Sequence, residues 1–253
     1  MDRNLWFASP LGRYLLDKEQ AYFDEVVADI FGYNAVQLGM PEFDLLRASR
    51  IPYCFKAANA PTVTLYADGH ALPIAGQSVY LVLIPHVLEF STQPHQILRE
   101  AERVLRPEGQ LIISGFNPLS LWGLCGVFQR SKAEFPWSGK FITLLRIKDW
   151  LALLGLEVTA GKLYCYAPPF KREKWLRRFQ FMEAAGDRWW GLAGGVYFVT
   201  ATKRVRGMRL IVPAWDKPLL AKPRLASVGN RPRLVLIECR RDKRKLGGSV
   251  EPG

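Results

Sequence analysis

Three side chains with useful chemistry each stand just past an apolar run. Asp68 opens DGHALP after residues 62–66, His86 follows residues 79–84 in IPHVLEF, and Asn117 follows residues 111–113 in GFNP. A carboxylate accepts hydrogen bonds, an imidazole takes or gives a proton near neutral pH, and a carboxamide both donates and accepts. Glu89, three residues beyond His86, is close enough in sequence to orient that ring. Plainer readings stand beside these. Asp68 fits an Asx turn before Gly69, His86 a hydrogen-bonded loop, and Asn117 a turn before Pro118. A functional reading is open to Asn117 as well, because open α/β sheets bind ligands along the rim where their strands end.

That rim requires a particular frame. Residues 79–84 have the β-branched and Leu content of a strand buried on both faces. Pro94 heads a helical pattern in which Ile97, Leu98, Ala101, Val104 and Leu105 form one stripe. Pro107 and Gly109 stop the helix, and Leu111, Ile112 and Ile113 begin a second buried strand. This is a strand–helix–strand unit of a parallel sheet. Upstream, Ser9-Pro10 opens a helix as N-cap and first helical residue, and a first strand over 35–38 runs into Gly39. Residues 43–48 read as a weak helix, and 53–55 and 62–66 as strands. Downstream, 119–128 is an apolar, Trp-containing segment suited to covering a pocket. A helix over 147–154 ends at Gly155, and strands follow at 156–159 and 163–166. A basic amphipathic helix over 171–185 precedes a last strand over 194–202. Such alternation predicts an α/β protein with a mostly parallel sheet.

Charge is unevenly placed along the 253 residues. The net +12 comes almost wholly from residues 203–253, where 14 Lys and Arg stand against 4 Asp and Glu. The remaining 21 against 19 leave +2. The tail also holds five prolines and one candidate strand over 234–237, so it reads as an irregular extension. A basic tail is able to hold nucleic acid or another polyanion; a solvated tail that aids solubility is the plainer alternative. Cys54, Cys125, Cys165 and Cys239 are scattered without a CxxC, and the three histidines sit in unlike contexts, so no metal site or disulfide framework is expected. Reduced thiols in a bacterial-type, cytoplasmic setting are the expectation. No apolar run approaches the roughly 20 residues of a membrane span.

The segment DGHALP, a buried strand, and then REAERVLRPEGQLIISGFNP resembles the class I S-adenosyl-L-methionine-dependent methyltransferases, in particular the small type 11 methyltransferase domain. The matching positions are Asp68, Leu72, Pro73, Glu100, Arg103, Val104, Leu105, Pro107 and Gly109, with Glu108 in place of a glycine. The resemblance covers roughly residues 30–204. It implies a Rossmann-like three-layer α/β sandwich whose seven-stranded, mostly parallel sheet ends in an antiparallel strand. The chain then divides into a helical extension over 1–33, the domain proper over 34–204 and the basic tail over 205–253.

The resemblance further implies methyl transfer to an unidentified acceptor. It places Gln37, Gly39, Asp68, Gly69, His70 and Pro85 at the cofactor, His86 beside the transferred methyl group, and Asn117 and Trp122 in an acceptor pocket. Several positions depart from the pattern. QLGMPE keeps only Gly39 of three glycines; Gln37 replaces an acid, Pro41 lacks an N–H, and the second strand ends in KAANAP with Asn59 where a carboxylate is usual. Either other groups hold the cofactor, or binding is weakened or lost. The corresponding alternatives are a non-catalytic binding or regulatory protein of the same fold, and an RNA-associated protein that uses its basic tail.

Overall fold

The computed structural model describes residues 3–204 apart from 61–62, 130–134, 171–172, 180–181, 184–185 and 187–192. The basic tail, its candidate strand over 234–237 and part of the expected 171–185 helix lie outside these residues. Seven strands form one sheet: β1 (Asn34–Leu38), β2 (Tyr53–Ala58), β3 (Leu65–Tyr66), β4 (Val79–Pro85), β5 (Leu105–Phe116), β6 (Leu156–Tyr164) and β7 (Val196–Lys203). Their order is β3-β2-β1-β4-β5-β7-β6. The first five run parallel, and β7 is antiparallel to both neighbours. The chain winds outward from β1 in one direction and from β4 in the other. The β1/β4 boundary is therefore the switch point at which open α/β sheets form a crevice.

Alternate strand residues feed two cores. Ala35, Leu81, Leu83, Ile112 and Phe198 face α1 (Arg3–Phe7), α2 (Pro10–Ala28) and α4 (Leu121–Gln129). Val36, Val82, Ile84, Leu111 and Val199 face α3 (Pro94–Val104) and α5 (Leu144–Leu153). The N-terminal helices are thus one side of the sandwich. Local signals set the helix ends. The Ser9 hydroxyl caps α2 by accepting from the Gly12 N–H, and Pro10 fills its first position. Thr143 caps α5, and Gly155, at φ +74°, turns the chain out of it.

Three expectations change. Residues 43–48 form turns, not a helix. The Gln37 carboxamide donates to the carbonyls of Gly39, Met40 and Phe43 and accepts from the Leu45 N–H, at 3.0–3.2 Å. A side chain that occupies these backbone groups replaces the helix ladder. The two strands expected over 156–166 are one strand, held along β7 with an irregularity between Val158 and Ala160. The third strand is only Leu65–Tyr66. A short α6 (Glu173–Arg178) is described within the expected basic helix.

Candidate functional site

A crevice of about 660 Å³ runs along the rims of β3, β2, β1 and β4. Its wall includes Gly39, Asp68, Gly69, His70 and His86, five of the nine residues singled out from sequence. At one end the Asp68 Oδ1 accepts from the His70 N–H at 3.1 Å and lies 2.6 Å from His70 Nδ1, while His70 Nε2 is 2.9 Å from the Ser91 hydroxyl. The backbone hydrogen bond from His70, then that from its ring, holds the Asp68 carboxyl below its ordinary pKa. The Asx-turn geometry and the place in the crevice wall are compatible: the turn presents the carboxylate.

This loop is pinned from behind. Arg103, on α3, donates to the carbonyls of Leu72 and Ile74 at 3.0 Å and to both Glu100 oxygens at 2.9–3.1 Å. Glu100 in turn accepts from the Leu72 N–H at 3.2 Å. The Arg103 hydrogen bonds, against a smaller opposing effect of burial, lower the Glu100 pKa. Glu100, Arg103 and Leu72 thus tie the strand–helix unit to the loop that carries Asp68.

The turn after β1 narrows around its remaining glycine. Gly39 sits at φ +77°, and a Cβ there would meet Val87 Cγ2 at 2.6 Å, so the position admits glycine only. Met40 (φ +46°) turns its side chain into the core beside Leu45, away from the opening. Pro41 joins the wall without closing it. Asn59 stands at the end of β2, where a ribose carboxylate is usual. Arg3, from α1, and Glu42, from the β1 turn, pair at 3.2 Å in the same wall.

His86 lies where β4 meets the crevice, with φ +46° and its N–H given to the Ser114 carbonyl. Its Nε2 is 2.5 Å from Glu19 Oε1, and its Nδ1 is 3.4 Å from Glu89 Oε1. Glu89 Oε1 also accepts from the Phe116 N–H at 2.7 Å. All three side chains are buried. Burial alone would lower the imidazole pKa. The Glu19 carboxylate, then Glu89, outweighs it and raises the value to about 10. With each ring nitrogen facing a carboxylate, the surroundings favour the imidazolium form of His86, which has no lone pair to take a further proton.

The other sequence candidates lie apart from the crevice wall. Gln37 is fully buried and spends its amide on the turn. Pro85 ends β4 inside the sheet. Asn117 donates to the Gly194 carbonyl at 3.0 Å and accepts from the Leu119 N–H, binding β5's end to the approach of β7. Trp122 is a core residue whose indole N–H meets the Ala167 carbonyl at 2.9 Å. Sequence reasoning missed Arg3, Glu42 and Glu19. For Glu19 a signal existed: it interrupts the apolar stripe of α2 between Leu15 and Tyr22, where a carboxylate needs a buried partner. For Arg3 and Glu42 there was none, since exposed charges near a terminus and in a turn are ordinary.

A family model described as a methyltransferase domain matches residues 48–113. The chain is 43% identical over 165 residues to the uncharacterized protein YafS of Escherichia coli, covering 64% of this chain and 69% of that protein. It is 32% identical over 118 residues to an uncharacterized methyltransferase of Mycobacterium bovis, covering 44% of each. Among solved structures, a SAM-dependent methyltransferase of Thermotoga maritima, described as a possible histamine N-methyltransferase, superposes with a TM-score of 0.57 at 15% identity. That likeness covers 79% of this chain and 94% of the other, and bears on the fold. Among the described residues, no helix is long and apolar enough to cross a membrane.

Proposed function

The chain belongs to the class I S-adenosylmethionine-dependent methyltransferases, among those with the type 11 domain, and from that premise we propose that it transfers the methyl group of S-adenosylmethionine to an acceptor entering the crevice at His86. The carrying observation is the open crevice at the β1/β4 switch point, with Gly39 at its narrow turn and Asp68 at its outer end. The volume is within the range of roughly 300–1,000 Å³ usual for small-molecule sites. The residues present fit a nucleoside: a carboxylate stands at the end of β3, a carboxamide at the end of β2, and a glycine at φ +77° forms the tight turn against Val87 that borders the crevice.

When bound, the cofactor supplies an electrophilic methyl group on a sulfonium whose leaving group is already good. The protein's task is then alignment and exclusion of water. Asp68 would accept from the adenine amino group, with His70 and Ser91 fixing its loop. Asn59 would hydrogen-bond the ribose, more weakly than an ionised group. Gly39 would hold the turn that faces the amino acid end. His86, held by two carboxylates, sets the floor of the crevice and the position of Val87 beside Gly39. It serves as a positioning residue, because neither ring nitrogen is available to take a proton.

Calorimetric titration with adenosylmethionine and adenosylhomocysteine tests this reading. Binding should occur in the wild type and weaken at least tenfold in Asp68→Ala. No heat at millimolar ligand would reject methyl transfer. The second reading, a binding or regulatory protein of the same fold, would then stand. It draws on Gln37, whose amide is committed to its own turn, and on Asn59, which replaces the ribose carboxylate.

A further inference from the structure

We infer that the Arg3–Glu42 ion pair is the seat of a zwitterionic α-amino acid group, performing the task that the lost glycines leave undone. The inference rests on the adenosylmethionine reading above. Arg3 Nη2 lies 3.2 and 3.4 Å from the two Glu42 oxygens, and both side chains form part of the crevice wall that contains Gly39. They are 38% and 32% exposed, so each charge is presented to the opening without being buried. A pair this exposed contributes little to folding. Its place in the crevice wall is what calls for an explanation.

An α-amino acid carries a carboxylate and an ammonium on one carbon. A guanidinium accommodates the carboxylate with two parallel N–H donors, and a carboxylate beside it takes the ammonium. The pair therefore carries both countercharges at the spacing of neighbouring groups. Each residue neutralises the other when no ligand is bound. Part of the β1 turn's backbone is already committed. Pro41 has no N–H, the Gly39 N–H already donates to the Ala57 carbonyl at 2.9 Å, and the Leu45 N–H is taken by Gln37. Side chains at the turn are then placed to supply part of what a glycine-rich turn supplies with its main chain.

The position along the rim fits the same division. Glu42 follows β1, whereas the Asp68–His70 pair follows β3, with β2 between them. Two strand spacings separate the two sets by roughly 10 Å. One end of the crevice suits a nucleoside and the other an amino acid. The ligand class is thus a nucleoside joined through sulfur to an amino acid, with Arg3 brought in by α1 to complete the second half.

The test is calorimetric titration of the full chain with two ligands. Adenosylhomocysteine carries the amino acid end; 5′-methylthioadenosine keeps the nucleoside and sulfur but lacks it. Arg3→Ala and Glu42→Gln should each weaken adenosylhomocysteine at least tenfold and leave methylthioadenosine within twofold. Arg3→Lys should give an intermediate loss, since it keeps the charge and loses the fork. Equal losses for both ligands, or no loss for either, overturn the subsite and leave the cofactor reading intact. A wild type that binds neither ligand removes that reading and the subsite together. Thermal melts superimposable on the wild type should accompany each variant; a melt lowered by more than a few degrees with parallel loss of both ligands counts against the subsite.

Discussion

The turn after β1 and the loop after β3 border the same crevice, and they are fixed by opposite means. The β3 loop is held from outside: Arg103 and Glu100 reach across from α3 to its carbonyls and N–H groups. The β1 turn is held from inside by Gln37, one buried carboxamide that occupies four of its backbone groups. The first arrangement keeps the motif residues of the type 11 domain and presents Asp68. The second departs from the motif and still leaves an opening, because Met40 folds into the core. A rim can lose its sequence signature and keep its shape when another side chain satisfies the same backbone.

His86 lies between these regions and gives the largest expected effect. Glu19→Gln takes one carboxylate from a fully buried histidine and should cost about 3–5 kcal/mol, as removing one member of a buried ion pair generally does. Denaturant unfolding would read it. The pH dependence follows from the raised pKa. The folded state binds the His86 proton more tightly than the unfolded chain, whose histidine has an ordinary value of 6.5. Its contribution is therefore complete below about pH 6.5 and lost as pH rises through about 10. Wild-type stability should decline over that window, and the decline should flatten in Glu19→Gln. An unchanged pH profile in the variant would show that Glu19 does not hold the imidazolium.

The two regions themselves should respond unequally. Gln37→Leu leaves the Leu45 N–H buried without its acceptor and frees three carbonyls of their donor. The Leu45 N–H and the Met40 carbonyl are the buried groups left unsatisfied, and at about 1–3 kcal/mol each the change should cost at least about 2–3 kcal/mol. Arg103→Ala acts on a partly exposed side chain and should cost about 1–2 kcal/mol, after the discount that exposure demands. Its larger effect should be on nucleoside affinity, because the Asp68 loop loses its support. Chemical denaturation together with methylthioadenosine titration separates these outcomes. Similar stability losses from both variants would erase the distinction between internal and external fixation.

The same contrast explains what was readable from sequence. The β4–α3–β5 unit announced itself because its period, its Pro94 start and its apolar strands all agree. The expectation of a seven-stranded sheet with an antiparallel last strand followed from the resemblance, and the fold agrees. Of the residues singled out from sequence, those in the crevice wall are the ones whose backbone lies on the rim, namely Gly39, Asp68, Gly69, His70 and His86. Gln37 lies outside the crevice wall, because sequence position identified its strand but not its side-chain partners, which stand two to eight residues on in a turn with no period. Asn117 and Trp122 lie outside the crevice wall for a related reason. A carboxamide and an indole at a strand end serve a ligand or the backbone equally well, and here the carbonyls of Gly194 and Ala167 engage them. Arg3 and Glu42 meet across 39 residues of chain, a separation no local pattern encodes.

The finest comparison sets one glycine of each region against the other. Gly39→Ala brings a Cβ to 2.6 Å from Val87 Cγ2 in a backbone at φ +77°, so both space and conformation oppose it. Strain of about 1–3 kcal/mol is expected from the backbone region alone. Val87 cannot yield cheaply, since it follows His86, which Glu19 and Glu89 hold in place. Gly69→Ala places its Cβ 3.7 Å from Ile97, an ordinary contact, at no special φ. It should change stability by less than about 0.5 kcal/mol, the range usual for surface substitutions. Adenosylhomocysteine affinity should fall at least tenfold in Gly39→Ala and stay within threefold in Gly69→Ala. If the two alanines weaken binding alike, the β1 turn is no tighter than the β3 loop, and the glycine retained after β1 has no more bearing on the crevice than its neighbour across the rim.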